Sequence, residues 1–224
     1  MDTVKRPDKR AERSRQTRAK IVTAAHELFV EHGYGATSLQ DVADRAGVAV
    51  QTIYFVFRNK RTLLKELVDT AIAGDDEPVA TVDRPWFRAA CAAETAPDQL
   101  RRHVQGTRQI LDRFASIARV VETAATMDPE IAAMWPNEED PRFTVHSAAA
   151  RALVTKPGAR PGLSAEMAAD LLYGLLSPGL YLTFVRDRGW SPATWESWAH
   201  DTLRRQLCDD LDEADLAPGP RDAG

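Results

Sequence analysis

The sequence predicts an all-α protein in two parts, an N-terminal three-helix helix-turn-helix domain and a larger helical body. Three observations carry this. Residues 37–60 read as two short helices joined at a glycine. Beyond residue 74 the apolar residues recur at helical spacing, with no strand-like alternation of any length. The charge divides along the chain. The first 65 residues are net +6 and the remainder net −10, within an overall −4. A basic head on an acidic body is the footprint of a protein that meets phosphate at one end. A length of 224 residues suits one small domain and one medium domain.

The elements follow in order. Residues 1–14 are expected to be a basic flexible arm. Lys5, Arg6, Lys9, Arg10, Arg13, Arg15, Arg18 and Lys20 crowd the first twenty residues, with Pro7 and little apolar content. Such an arm follows DNA phosphates or enters a minor groove, or simply keeps the chain solvated. The helix-turn-helix domain is expected over 15–60. Its first helix carries Ile21, Ala25, Leu28 and Phe29, and Gly33 ends it. Thr37 or Ser38 caps the second helix, and Ser38 with Asp41 resembles a capping box. Leu39, Val42, Ala43 and Ala46 line its inner face. Gly47 ends it, because glycine enters the left-handed conformation without steric cost. The third helix runs from Val50 to Phe57, with Ile53 and Phe57 inward and Gln51, Thr52 and Tyr54 outward. A short helix with small polar groups outward, held by a second helix at a glycine turn, is built to read a DNA major groove. A connecting helix is expected over 61–74.

The body is expected over 75–212. Gly74 to Pro78 breaks the connecting helix, and Pro85-Trp86-Phe87 begins a short one. Pro97-Asp98 starts a longer helix through Leu100, Val104, Ile110, Leu111 and Phe114. A separate helix is expected to hold Ile117, Val120, Val121 and Ala124. Asp128-Pro129-Glu130 starts another, interrupted at Pro136 and resuming after Pro141. Residues 156–162 form a loop. Ser164 caps the next helix, Pro178 kinks or splits it, and Gly189 ends it. Ser191-Pro192 opens the last helix, expected to run to about Leu211. Residues 213–224 are expected to be a loose acidic tail.

Residues 15–68 resemble the DNA-binding domain of the TetR/AcrR family of bacterial transcriptional regulators. The likeness rests on Ala46-Gly47-Val48, Thr52-Ile53-Tyr54, Phe57, Lys60 and Leu63-Leu64 at fixed offsets, with Tyr34 and Ala36-Thr37 before them. Two positions depart from the family pattern. Ala49 stands where serine is usual, which removes a helix cap worth about 1 kcal/mol. Gln51 stands where a small residue is usual, and adds a side chain able to bond an adenine edge twice. The expected DNA contacts are Gln40, Ala49, Val50, Gln51, Thr52, Tyr54, Phe55 and Lys60. Lys60 is expected to share a phosphate with the free N–H groups opening the fourth helix.

The resemblance implies a ligand-responsive regulator, most often a repressor, released from a pseudo-palindromic operator by a small molecule. It also implies a homodimer joined through the last two long helices. Polar or aromatic groups on buried helix faces are the candidate effector contacts: His103, Phe114, Trp135, Phe143, His146 and Tyr173, with Gln109 and Met127 beside them. Leu171, Leu175, Leu180, Trp195, Trp198 and Leu203 are the candidate dimer surface.

Other classes fit less well. No spacing for a metal, a cofactor or a catalytic nucleophile appears, so no enzyme is expected. Cys91 and Cys208 stand in no metal or redox spacing and suit a reducing cytoplasm. The charged N-terminus has no apolar run behind it, so no secretory signal is expected. The apolar run 171–185 is broken by Ser177-Pro178 and falls short of the roughly 18 residues of a membrane span.

Overall fold

The computed structural model describes residues 9–75, 77, 79–135 and 140–209. The expected arm residues Lys5 and Arg6, the helix break at Pro136 and the acidic tail lie outside the described residues. Eleven α-helices occur among the described residues: α1 (Lys9–His32), α2 (Leu39–Ala46), α3 (Val50–Phe57), α4 (Lys60–Ala73), α5 (Pro85–Cys91), α6 (Ala96–Met127), α7 (Pro129–Met134), α8 (Pro141–Leu153), α9 (Ala165–Leu175), α10 (Pro178–Leu182) and α11 (Pro192–Leu207). A 3₁₀ turn at Thr81–Asp83 precedes α5, and a π turn at Thr183–Asp187 follows α10. The chain divides into two compact units. One joins the residues up to 75 with 116–134; the other joins 76–115 with 135 onward.

Two boundaries up to α6 differ from expectation. α1 begins at Lys9, so part of the expected arm is helical. The two helices expected between 97 and 124 are one 32-residue helix, α6. Nothing in residues 112–118 (Asp-Arg-Phe-Ala-Ser-Ile-Ala) breaks a helix, since the stretch lacks glycine and proline. The first part of α6 belongs to the body and its end, with α7, to the head unit.

The head core is built from Ile21, Ala25, Leu28 and Phe29 of α1, Val42 and Ala43 of α2, Ile53 and Phe57 of α3, and Leu63, Leu64 and Leu67 of α4. Ile117, Ala124 and Ile131 are buried in the same unit. Each fully buried aliphatic side chain stabilises by about 1.5–3 kcal/mol relative to exposure. Arg18 on α1 bonds Glu66 on α4 at 2.7 Å and lies 5.0 Å over the Phe57 ring. Arg61 pairs with Asp128 at 2.9 Å and Glu130 at 2.5 Å, tying α4 to the start of α7.

The body core gathers Leu100, Val104 and Leu111 of α6, Ala149, Ala150 and Leu153 of α8, Leu172 of α9 with Leu176 just after it, and Trp195, Ala199, Leu203 and Leu207 of α11. Serine caps start three of its helices. Ser164, Ser177 and Ser191 accept from the third N–H of α9, α10 and α11. Pro178 splits the expected single helix into α9 and α10, and Gly189 turns at φ +71° before α11. α11 ends at Leu207, short of the expected Leu211, because Cys208 turns extended and bridges Ala159.

Trp195 and Leu203 are wholly buried inside the single chain, so neither is available to a dimer surface. They face inward because the apolar stripe of α11 packs onto the body core. Leu171, Leu175, Leu180 and Trp198 are half-buried and keep part of their surface open. The 23-residue stretch Ala165–Asp187 contains an 18-residue window of mean hydropathy 1.3 and is long and apolar enough to cross a membrane, which is more than the run 171–185 alone suggested. Only 33% of that window is buried.

Candidate nucleic-acid interface

Local rules shape the helix-turn-helix. The Ser38 hydroxyl accepts from the Asp41 N–H (3.1 Å), and the Asp41 carboxylate accepts from the Ser38 N–H (2.8 Å), so the capping box closes in both directions. These bonds hold the Asp41 carboxyl below its usual range. Thr37 is buried instead, and its hydroxyl reaches back to the carbonyls of Gly33 (2.9 Å) and Leu28 (3.2 Å). Gly47 ends α2 at φ +67°, where its own N–H and that of Val48 bond the last turn.

α3 then presents its outer face. Ile53 and Phe57 are buried. Gln51, Tyr54 and Phe55 are exposed, while Val50 and Thr52 are half-buried. Ala49 occupies the capping position in extended conformation (φ −69°, ψ 141°) and makes no side-chain cap. The Thr52 N–H bonds the Ala49 carbonyl at 2.9 Å, which satisfies part of what a serine would supply. At the far end Arg58 stops α3 with φ +67°, the one positive φ among the described non-glycine residues. Asn59 caps α4 by accepting from the Thr62 N–H at 2.9 Å. Gln40 is exposed on α2, and its amide donates to Asp44 at 2.8 Å.

Lys60 is placed differently from expectation. Its ammonium donates to the carbonyls of Tyr34 (2.8 Å) and Thr37 (2.9 Å) and lies 4.2 Å from the Tyr34 ring centre. Two of its three donors therefore tie the α1–α2 connection to the start of α4. Burial lowers the Lys60 pKa, and the Asp128 carboxylate partly offsets this.

The comparisons with known proteins agree on this region. The family model described as bacterial regulatory proteins, tetR family, matches residues 21–67, which span α1 to α4. Residues 21–67 thus carry the N-terminal domain of the tetR family of bacterial regulatory proteins. The chain is similar to the HTH-type transcriptional activator FasR of Mycolicibacterium smegmatis, 32% identical over 101 residues, 43% of this chain and 46% of FasR. The chain thus spans less than half the length of the curated relatives it matches. Two solved structures share the fold beyond the head. Native NalD, the secondary repressor of the MexAB-OprM multidrug efflux pump in Pseudomonas aeruginosa, superposes with TM-score 0.63. It is 23% identical over 88% of this chain and 100% of NalD. A transcriptional regulator from Saccharomonospora viridis in complex with choline superposes with TM-score 0.65. It is 20% identical over 86% of this chain and 98% of that one.

The body gathers four of the six expected effector contacts. His103 on α6 and His146 on α8 are buried and joined by a 3.1 Å Nε2–Nδ1 hydrogen bond. Tyr173 packs on His146 with ring centres 6.3 Å apart, and the exposed Phe143 packs on Tyr173 at 5.5 Å. Phe114 and Trp135 make no recorded ring contact with this group. Burial pushes the His103 pKa down to about 4 and holds His146 well below its usual value, with His103 and Arg142 adding to the latter. Both rings are therefore neutral at pH 7, one donating to the other.

Several members of this group were not singled out from the sequence as ligand contacts. Trp86 and Phe87 flank His103 at 6.2 and 6.0 Å. Trp86 lies against Gly106, where an added Cβ would run into the indole. Arg142 stacks on Tyr173 at 3.4 Å and bonds its carbonyl, and the Tyr173 hydroxyl donates to Asp140 at 2.6 Å. Gln99 donates to the Ala149 carbonyl at 2.7 Å, but its Oε1 and the His103 Nδ1 are buried without partners. The glycine at 106 was the available signal, since a large ring next to a helix needs a missing side chain.

Proposed function

We propose that the chain is a DNA-binding transcriptional regulator, a repressor released from a pseudo-palindromic operator when its body binds a small molecule. It is not an enzyme. The observation that carries this is the outer face of α3. Gln51, Thr52, Tyr54 and Phe55 project from an eight-residue helix held at a glycine turn, in a head of net charge +6, within the tetR-family match. Gln51 and Thr52 address base edges and the Tyr54 hydroxyl bonds a phosphate. Gln40, Ala49 and Val50 frame the groove.

Repression rather than activation follows NalD; FasR is called an activator. The choline complex of the Saccharomonospora viridis regulator supports an effector site in the body. In this chain the group around His103, His146, Tyr173 and Phe143 is that site, with orphaned polar atoms on Gln99 and His103 to anchor a ligand. The dimer forms through the open faces of α9 to α11, at Leu171, Leu175, Leu180 and Trp198. It sets two α3 helices one turn of DNA apart or a small multiple, about 34 Å per turn. An effector that prefers a different separation lowers DNA affinity by the same coupling factor. No membrane takes part, and the regulator works in the cytoplasm.

Selection of bound duplexes from random oligonucleotides tests the reading. An enriched inverted repeat is expected. Recovery of no preferred sequence would overturn it.

A further inference from the structure

Phe55 is the most exposed large apolar side chain among the described residues, at 90%. Leaving such a ring in water forgoes the stabilisation that burial brings. It lies four residues after Gln51 and three after Thr52, so all three share one face of α3. α3 reads Val-Gln-Thr-Ile-Tyr-Phe-Val-Phe and carries no charge, while the exposed Arg58 follows at its end. An uncharged wedge with a cation at its end matches a groove with a neutral floor between phosphate walls.

We propose that Phe55 reads a thymine by covering its C5-methyl group. The inference rests on the reading that α3 enters the major groove. Donors and acceptors occupy that floor, and the thymine methyl is the apolar group exposed on it. A phenyl ring over any other base edge strips water from a polar atom and returns no hydrogen bond. The ring therefore selects thymine by attraction and rejects other bases by desolvation. Four residues of helix advance about 6 Å. Successive bases of one strand lie about 3.4 Å apart. The thymine then falls about two base pairs from the position that Gln51 reads.

The experiment uses the full chain and the duplex recovered by selection. Each thymine is replaced in turn by deoxyuridine, which removes only the methyl group. Affinity is measured for the wild type, Phe55→Ala and Phe55→Leu. For the wild type, one substitution per half-site is expected to weaken binding by about fourfold, the loss of one buried methyl. Phe55→Ala, whose side chain is exposed and outside the core, should melt like the wild type and show no penalty at that position. Its penalties elsewhere should be unchanged. Phe55→Leu should keep part of the preference. Equal deoxyuridine penalties in the wild type and Phe55→Ala at every position overturn the inference. A uniform loss for all sequences overturns it too, by placing the ring on the sugar-phosphate backbone. Unchanged DNA binding by Phe55→Ala overturns it by freeing the ring for another partner. Failure of the wild type to select any DNA sinks the proposed function and this inference together, whereas the preceding outcomes sink this inference alone.

Discussion

Replacing Lys60 with methionine separates two jobs for one ammonium group. The apolar stem stays and only the charge goes. The ammonium bonds the carbonyls of Tyr34 at 2.8 Å and Thr37 at 2.9 Å and sits over the Tyr34 ring. A hydrogen bond from a charged donor contributes about 1.5–3 kcal/mol net. Lys60 is half-buried, so water takes over part of each bond, and about 1 kcal/mol apiece is the working figure. The ring contact adds about 0.5 kcal/mol. The sum is about 2–3 kcal/mol, which for a chain of this size lowers the Tm by roughly 4–12 °C. The slope of log affinity against log salt should stay unchanged, because no counterion is released at this group. A phosphate contact would instead flatten that slope by about 1 per half-site. Circular-dichroism melts and a salt titration of operator binding decide the matter. An unchanged melt with a flattened slope would refute the structural assignment.

Three further outcomes are expected. Ala49 shares its backbone conformation with the capping Ser191 (φ −69°, ψ 150°), so Ala49→Ser should cap α3. Because the Thr52 N–H is already bonded, the gain is the lower part of the usual range, about 0.5–1 kcal/mol and roughly 1–4 °C in Tm; a lower melt with helicity intact counts against it. Leu175→Glu or Leu180→Glu should yield monomers that bind operator weakly, and wild-type sedimentation as a monomer at micromolar concentration would rule out the proposed interface. The histidine pair makes stability pH-dependent. His103 has a folded pKa of about 4 against 6.5, and His146 shifts the same way, so the unfolded chain binds more protons between these values. Stability is complete above about pH 6.5 and falls as pH drops toward 4, by on the order of 3 kcal/mol for His103 alone. His103→Gln should flatten this acid limb in urea titrations, and an unaltered limb would mean that other groups cause it.

Local signals were legible in the chain wherever one or two residues decide the geometry. Ser38 with Asp41, Gly47, Ser164, Pro178 and Ser191-Pro192 all sit where the spacing placed them. Each acts over three or four residues, so no tertiary knowledge is needed. The length of α6 was harder. Its apolar pattern changes near Ser116, where the helix passes from one unit to the other and different residues turn inward. A change of buried face looks like a helix end when only periodicity is read.

The candidate sites divide along the same line. The outward residues of α3 follow from phase against Ile53 and Phe57, which needs one helix and one buried face. Lys60 depends on carbonyls 26 and 23 residues earlier, brought near by the turn at Gly33 to Ser38. No periodicity encodes that meeting. In the body, His103 and His146 were found as polar residues on apolar stripes, but their bond spans 43 residues and pairs two helices. Trp195 and Leu203 failed for the converse reason. Periodicity gave α11 an apolar stripe but not which neighbour it meets, and the stripe packs on the chain's own core. An apolar face states only that something covers it. The half-buried Leu171, Leu175, Leu180 and Trp198 are what remains for the proposed second chain, and this makes the glutamate substitutions at 175 and 180 the sharper test of assembly.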